Sequence, residues 1–188
     1  MVNLPNVLSL VRIVLVPLLV VVMLTPPRSW DWIGVGGDLL GAAIFGLASL
    51  TDLLDGWLAR RRKQITALGQ WLDPLADKLL VSGAFISLVQ LDRVPAWMVA
   101  VIVGRELAVT GLRSVATSRG VPMPSSDLGK RKMAAQVTAI LGLMLAPRVP
   151  APLHLVGPVA LWVMLALTVW SAIDYYRRFN DVLRRDPP

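Results

Sequence analysis

The chain has 188 residues, no cysteine and a formal charge of +7, and 55% of it is hydrophobic, with a mean hydropathy of +0.64. This excludes disulfides and thiolate metal sites, and with 16% charged residues the chain is too apolar for an ordinary water-soluble domain. A pI near 10.8 without a nucleic-acid-binding module reads as loops meeting anionic lipid, so no nucleic-acid partner is expected.

The opening stretch, MVNLPNVLSLVRIVLVPLLVVVML, has neither a basic leading segment nor a small-residue cleavage site, and Arg12 sits inside its apolar run. It reads as a retained first span over 5–25. Arg12 could reach a phosphate group or snorkel to the interface. Pro and Gly then punctuate the chain at TPPRSWDW, LDRVP, RGVPMPSSD and APRVPAP, which predicts further helices over 37–61, 70–91, 94–119, 128–147 and 152–178. The expected fold is all-α, a single domain over 1–188 built as an integral membrane bundle of six transmembrane helices. Of the 19 basic residues, only Arg28, Arg93 and Arg148 fall in loops on the outward side. The positive-inside rule therefore puts both termini in the cytoplasm. Charged residues lie toward the cytoplasmic end of the spans, so a polar cavity should open there. The missing cysteines fit a bacterial inner membrane. Trp30, Trp32, Trp71, Trp97 and Trp170 read as interfacial belts, and the lone histidine, His154, as structural or solvated.

The second span carries Asp52, Asp55 and Ala59 on one face, three and seven residues apart, followed by the basic cluster Arg60 to Lys63. The third carries Gly69, Asp73 and Asp77 in steps of four. Two helices can thus present four carboxylates to each other, and unpaired they would repel. Two divalent cations would balance them, and an all-oxygen set suits Mg²⁺, Mn²⁺ or Ca²⁺. Gly56, Ala59 and Gly69 remove bulk beside the acids. A plainer reading makes the aspartates salt-bridge partners of the basic cluster and the glycines a helix-packing device. A cation transporter is a more distant alternative, although the chain shows no inverted repeat.

Asp52, Asp55, Gly56, Ala59, Arg60, Gly69, Asp73 and Asp77 spell D-x2-D-G-x2-A-R-x8-G-x3-D-x3-D without a gap or substitution. That pattern resembles the signature of the CDP-alcohol phosphatidyltransferases, integral membrane enzymes of phospholipid synthesis. The stretches LPNVLSLVRIVLVP, GRELAVTGLR and LGKRKMAAQ look like the branch that makes phosphatidylglycerophosphate, a likeness running from about Asn3 to Gln136. Met133 departs from the Thr common in that branch.

The resemblance implies transfer of the phosphatidyl group of CDP-diacylglycerol to sn-glycerol 3-phosphate. Asp52, Asp55, Asp73 and Asp77 would hold two Mg²⁺ ions, or Mn²⁺, with Asp77 also the catalytic general base. Asp52, Gly56, Ala59, Arg60 and Gly69 would receive the CDP group. The active site would face the cytoplasm, and the protein would be a homodimer, to which the small-residue run GVGGDLLGAAIFG could contribute close helix contact. A small dianionic acceptor needs fixed cations, and Arg105, Arg113, Lys130 and Lys132 supply them, with Glu106 seven residues before Arg113 and able to orient it. Lys130, Arg131 and Lys132 read alternatively as a loop touching anionic lipid. Other acceptors stay open within the same family: phosphatidylglycerol in a cardiolipin synthase, inositol phosphate or serine.

Overall fold

A computed structural model of the chain describes residues 4–26, 35–62, 67–118 and 127–185, with side chains over 7–26, 35–52, 72–115, 117 and 131–177. Among the described residues the fold is all-helical: α1 Leu4–Leu24, α2 Gly37–Arg62, α3 Ala67–Gln90, α4 Ala96–Ser118, α5 Asp127–Leu145 and α6 Val156–Arg185. The helix ends agree closely with those expected from the punctuating residues, except around α6. Pro150 and Pro152 turn the preceding segment into short 3-10 turns, Ala146–Arg148 and Ala151–Leu155, so α6 starts later than expected. It then runs to Arg185, because nothing between 173 and 185 is Gly or Pro.

α1 packs against α2 and α3, α5 packs against α2 and α6, and α4 packs mainly against α6. Leu19, Phe45, Leu80, Phe85, Ile102, Ile140 and Met164 are fully or almost fully buried in the shared core. The closest helix approach is between α5 and α6, where a Cβ at Gly142 would stand 2.8 Å from the backbone of Gly157. Only glycine permits that contact. The small-residue run on α2 makes its close contacts within the chain: a Cβ at Gly41 would collide with Met23 of α1, and Gly46 faces Leu141 of α5.

Outside the core the surface is apolar, with Val14, Leu47, Trp162 and Trp170 all exposed. Two segments, Val7–Leu24 and Ala151–Arg177, are long and apolar enough to cross a membrane. A soluble monomer rarely exposes so much contiguous apolar surface. Trp97 and Trp162 pack together on this outer surface with ring centroids 6.2 Å apart. His154 sits in the turn before α6, its Nε2 against the Val149 carbonyl, consistent with a structural role.

At one end of the bundle Arg93 ties α2, α3 and α5 together. α3 ends in a Schellman motif: Asp92 adopts φ 56°, its N–H donates to the Val89 carbonyl, and the Arg93 N–H donates to the Leu88 carbonyl. This turn aims Arg93 back across the bundle. Its Nη2 lies 2.6 Å from Asp38 at the start of α2, and its Nη1 donates to the Leu143 and Met144 carbonyls at the end of α5. A cation is favoured there both by the unpaired last carbonyls and by the helix dipole.

Candidate active site

Arg12, Asp52, Asp73, Asp77, Arg105, Glu106, Arg113 and Lys132 gather in the other half of the bundle. Most contacts that build the cluster run between helices, because polar side chains in an apolar span must face protein rather than lipid. On α1, Ser9 and Arg12 lie three apart and so share a face, and both are buried, Arg12 to 2% exposure. Arg12 Nη1 donates to Asp52 Oδ1 of α2 at 2.6 Å, and the Ser9 hydroxyl donates to Asp73 Oδ1 of α3. Arg12 thus neither snorkels nor stands apart. It holds one of the signature aspartates, and Ser9 holds another.

Asp77, one turn after Asp73, faces a small cleft between α3, α4 and α5 that is also lined by Val81, Ile102, Val103, Glu106 and Gln136. The charge of Asp77 acts on those of Asp52 and Glu106, and Asp52 on that of Asp73, so the carboxylates of α2, α3 and α4 form one electrostatic group. Among the described residues, no three acidic side chains close into a metal cage. Asp55, which would complete the signature set, lies outside the described side chains, as do Gly56, Ala59, Arg60, Gly69 and Lys130. The donor chemistry fits a hard divalent cation all the same: Asp52, Asp73 and Asp77 offer carboxylate oxygen, and Arg12 and Ser9 each engage one oxygen of their aspartate, fixing how it points.

The basic part of the site is built from α4, α5 and α6. Glu106 accepts from Arg105 Nη1 at 2.9 Å and from Lys132 Nζ, which reaches across from α5. It does not meet Arg113. Seven residues of helix separate the two by roughly 10 Å along the axis, too far for a direct pair, whereas Lys132 comes from a neighbouring helix. Arg113 instead donates through Nη2 to the Tyr175 hydroxyl, and Arg105 donates through Nη2 to Ser171. Both guanidiniums lie near the Tyr175 ring, 5.7 Å from its centroid for Arg105 and 5.4 Å for Arg113.

Ser9, Gln136, Ser171 and Tyr175 are site residues that the sequence reading passed over. The signal available for three of them was helical spacing of polar residues within apolar sequence: Ser9 with Arg12 on α1, and Thr168, Ser171 and Tyr175 along one face of α6.

Comparison with known proteins points to one family. The sequence profile of the CDP-alcohol phosphatidyltransferase family matches residues 2–170. The chain is similar to a Bacillus subtilis protein named CDP-diacylglycerol–glycerol-3-phosphate 3-phosphatidyltransferase, with 44% identity over 98% of both chains. A Pseudomonas fluorescens protein of the same name is 35% identical over 98% of this chain and 93% of its own. A probable phosphatidylglycerophosphate synthase of Mycobacterium tuberculosis is 38% identical over 94% of this chain and 81% of its own.

Proposed function

Because the chain belongs to the CDP-alcohol phosphatidyltransferase family, enzymes that in general depend on a divalent metal, we propose that it transfers the phosphatidyl group of CDP-diacylglycerol to sn-glycerol 3-phosphate. The products are phosphatidylglycerophosphate and CMP. The names of its relatives support the acceptor, and one observation carries it physically. Arg105 and Lys132 pair with Glu106, and Arg113 joins them through Tyr175, so three cations from α4 and α5 gather beside the cleft that Asp77 lines. Three cationic donors held close together suit a phosphate monoester, which carries roughly −1.5 to −2 near neutral pH. Phosphatidylglycerol, with a singly charged phosphodiester, and serine, with no phosphate, match it less well.

In this reading Asp77 takes the proton of the acceptor hydroxyl. The hydroxyl oxygen attacks the phosphorus that bears the diacylglycerol, and the bond from that phosphorus to the CMP oxygen breaks. Arg105, Arg113, Lys130 and Lys132 hold the acceptor phosphate and so orient its hydroxyl toward Asp77. Gly56, Ala59, Arg60 and Gly69, with Asp52, receive the CDP group. Asp52, Asp55, Asp73 and Asp77 would hold two Mg²⁺ or Mn²⁺ ions, which when bound neutralise the donor's pyrophosphate and the charge developing on CMP.

The chain is proposed to lie in the bacterial inner membrane with six spans, both termini and the site facing the cytoplasm, as a homodimer. The segregation of Arg93 and Arg148 from the larger basic group supports the orientation, and the family resemblance supports the dimer.

The test is CMP release by the purified protein in detergent with CDP-diacylglycerol and Mg²⁺, offered glycerol 3-phosphate, phosphatidylglycerol, inositol phosphate or serine in turn. Glycerol 3-phosphate should be the acceptor that supports release. Asp77→Asn should lower the rate by about 10²–10⁴-fold, the usual contribution of a general base. Release with another acceptor alone overturns the acceptor assignment, and release undiminished in Asp77→Asn overturns the role of Asp77.

A further inference from the structure

The end of α6 is the part of the site that the reading above leaves without a task. Ser171 and Tyr175 sit where α6 passes from its apolar stretch into the charged segment DYYRR, and, one turn apart, they are buried to 1% and 6% exposure. Both point at arginines of α4. Arg105 and Arg113 are eight residues apart, so their backbones are separated by roughly 12 Å along the axis, but their guanidinium carbons both lie within 6 Å of the same ring centroid. Two like charges drawn toward one point repel. The Tyr175 ring face and hydroxyl oxygen offset that repulsion, since both are negative ends of dipoles or quadrupoles facing the cations.

The contacts with α6 use the same nitrogen of each fork, Nη2 of Arg105 to Ser171 and Nη2 of Arg113 to Tyr175. Arg105 Nε is buried and has no hydrogen-bond partner among the described residues. A buried guanidinium donor without an acceptor is unfavourable until a ligand oxygen reaches it.

We propose that Tyr175, with Ser171, is a positioning platform that fixes the spacing of Arg105 and Arg113 and thereby selects a phosphate monoester as acceptor. The proposal rests on the reading of these arginines as acceptor ligands. Tyr175 touches neither substrate. It acts through the two arginines, so its loss should weaken acceptor binding and leave donor binding and the chemical step alone.

The experiment compares wild type with Tyr175→Phe, Tyr175→Leu and Ser171→Ala in detergent, varying glycerol 3-phosphate and CDP-diacylglycerol separately. Tyr175→Phe keeps the ring and loses one charge-assisted hydrogen bond, so KM for glycerol 3-phosphate should rise on the order of tenfold. Tyr175→Leu loses the ring as well and should raise it on the order of a hundredfold. In each variant kcat at saturating acceptor and KM for CDP-diacylglycerol should hold. The rise in melting temperature given by glycerol 3-phosphate to the wild type should shrink in the same order. If Tyr175→Leu does not fold, Tyr175→Phe and Ser171→Ala carry the test, since both nearly preserve side-chain volume.

An unchanged KM for glycerol 3-phosphate in Tyr175→Phe and Ser171→Ala overturns the proposal. So does a loss shared equally by kcat and both KM values, which would mark Tyr175 as a packing residue. A wild-type protein that releases no CMP with glycerol 3-phosphate overturns the acceptor reading first, and this inference with it. That failure is visible before any variant is made.

Discussion

The two ends of the bundle use the same materials differently. At one end Arg93 meets Asp38 and the last carbonyls of α5, and the Arg148 guanidinium fills the space where a side chain at Gly36 would stand. Arg93 has a carboxylate and a helix end, and Arg148 a fitted surface. In the other half Arg12 and Asp52 are similarly matched, but Arg105 and Lys132 share Glu106, and Arg113 donates to the neutral Tyr175 hydroxyl. A balanced arginine ties elements together. A group of cations gathered beside a cleft, deep among apolar helices, is arranged for a charge that arrives from outside.

The sharpest way to break that comparison is to remove one arginine from each end. Arg12→Ala leaves Asp52 without its guanidinium in a half-buried place. Losing one partner of a buried pair costs about 3–5 kcal/mol, and here the abandoned carboxylate is also a proposed metal ligand. Arg12→Ala should therefore lose both stability, read by unfolding in mixed detergent, and nearly all CMP release per folded molecule. Arg93→Ala removes charged hydrogen bonds and should cost about 1.5–3 kcal/mol, with CMP release per folded molecule unchanged. Equal loss of turnover in the two variants would erase the distinction between the ends.

Gly142→Ala probes the quiet end without touching a charge. Its new methyl would stand 2.8 Å from the Gly157 backbone, and backbone cannot swing aside as a side chain can. Overpacking of this kind costs about 1–3 kcal/mol. The variant should unfold earlier and still turn over normally once folded. A drop in turnover would show that the α5–α6 crossing transmits strain to Lys132 and Tyr175, sharpening the comparison into a coupling between the ends.

The fold was legible because Pro and Gly mark its breaks and apolar runs fill the intervals. The segment before α6 shows the limit: Pro150 and Pro152 were read as a turn, and their effect on where the helix begins depends on 3-10 geometry rather than on a simple stop. The aspartates were legible for a similar reason, since helical phase is local and puts Asp73 and Asp77 on one face. What holds them was not. Ser9 and Asp73 are 64 residues apart, Arg12 and Asp52 40, and Arg105 and Ser171 66. Local periodicity says which face a residue occupies but not which neighbour that face meets. Glu106 shows the same limit: spacing suggested Arg113 as its partner, and tertiary packing supplied Lys132.

The smallest expected effect tests the turn that aims Arg93. Asp92 occupies the left-handed region at φ 56°, where a side chain other than Gly or Asn is disfavoured, although aspartate tolerates it better than most. Asp92→Gly should relieve that strain and stabilise the protein by up to about 1 kcal/mol, provided the Asp92 carboxylate contributes nothing beyond its backbone position. The Arg93 N–H bond to Leu88 would persist, so its side chain should still reach Asp38 and α5. A destabilised Asp92→Gly would mean that the carboxylate itself supports the turn, and this end would then depend on one more charge than Arg93 and Asp38 provide. A stabilised variant with normal turnover would leave the Arg93 end as a matter of backbone geometry and arginine contacts, in contrast to the half where cations gather beside a cleft for a substrate.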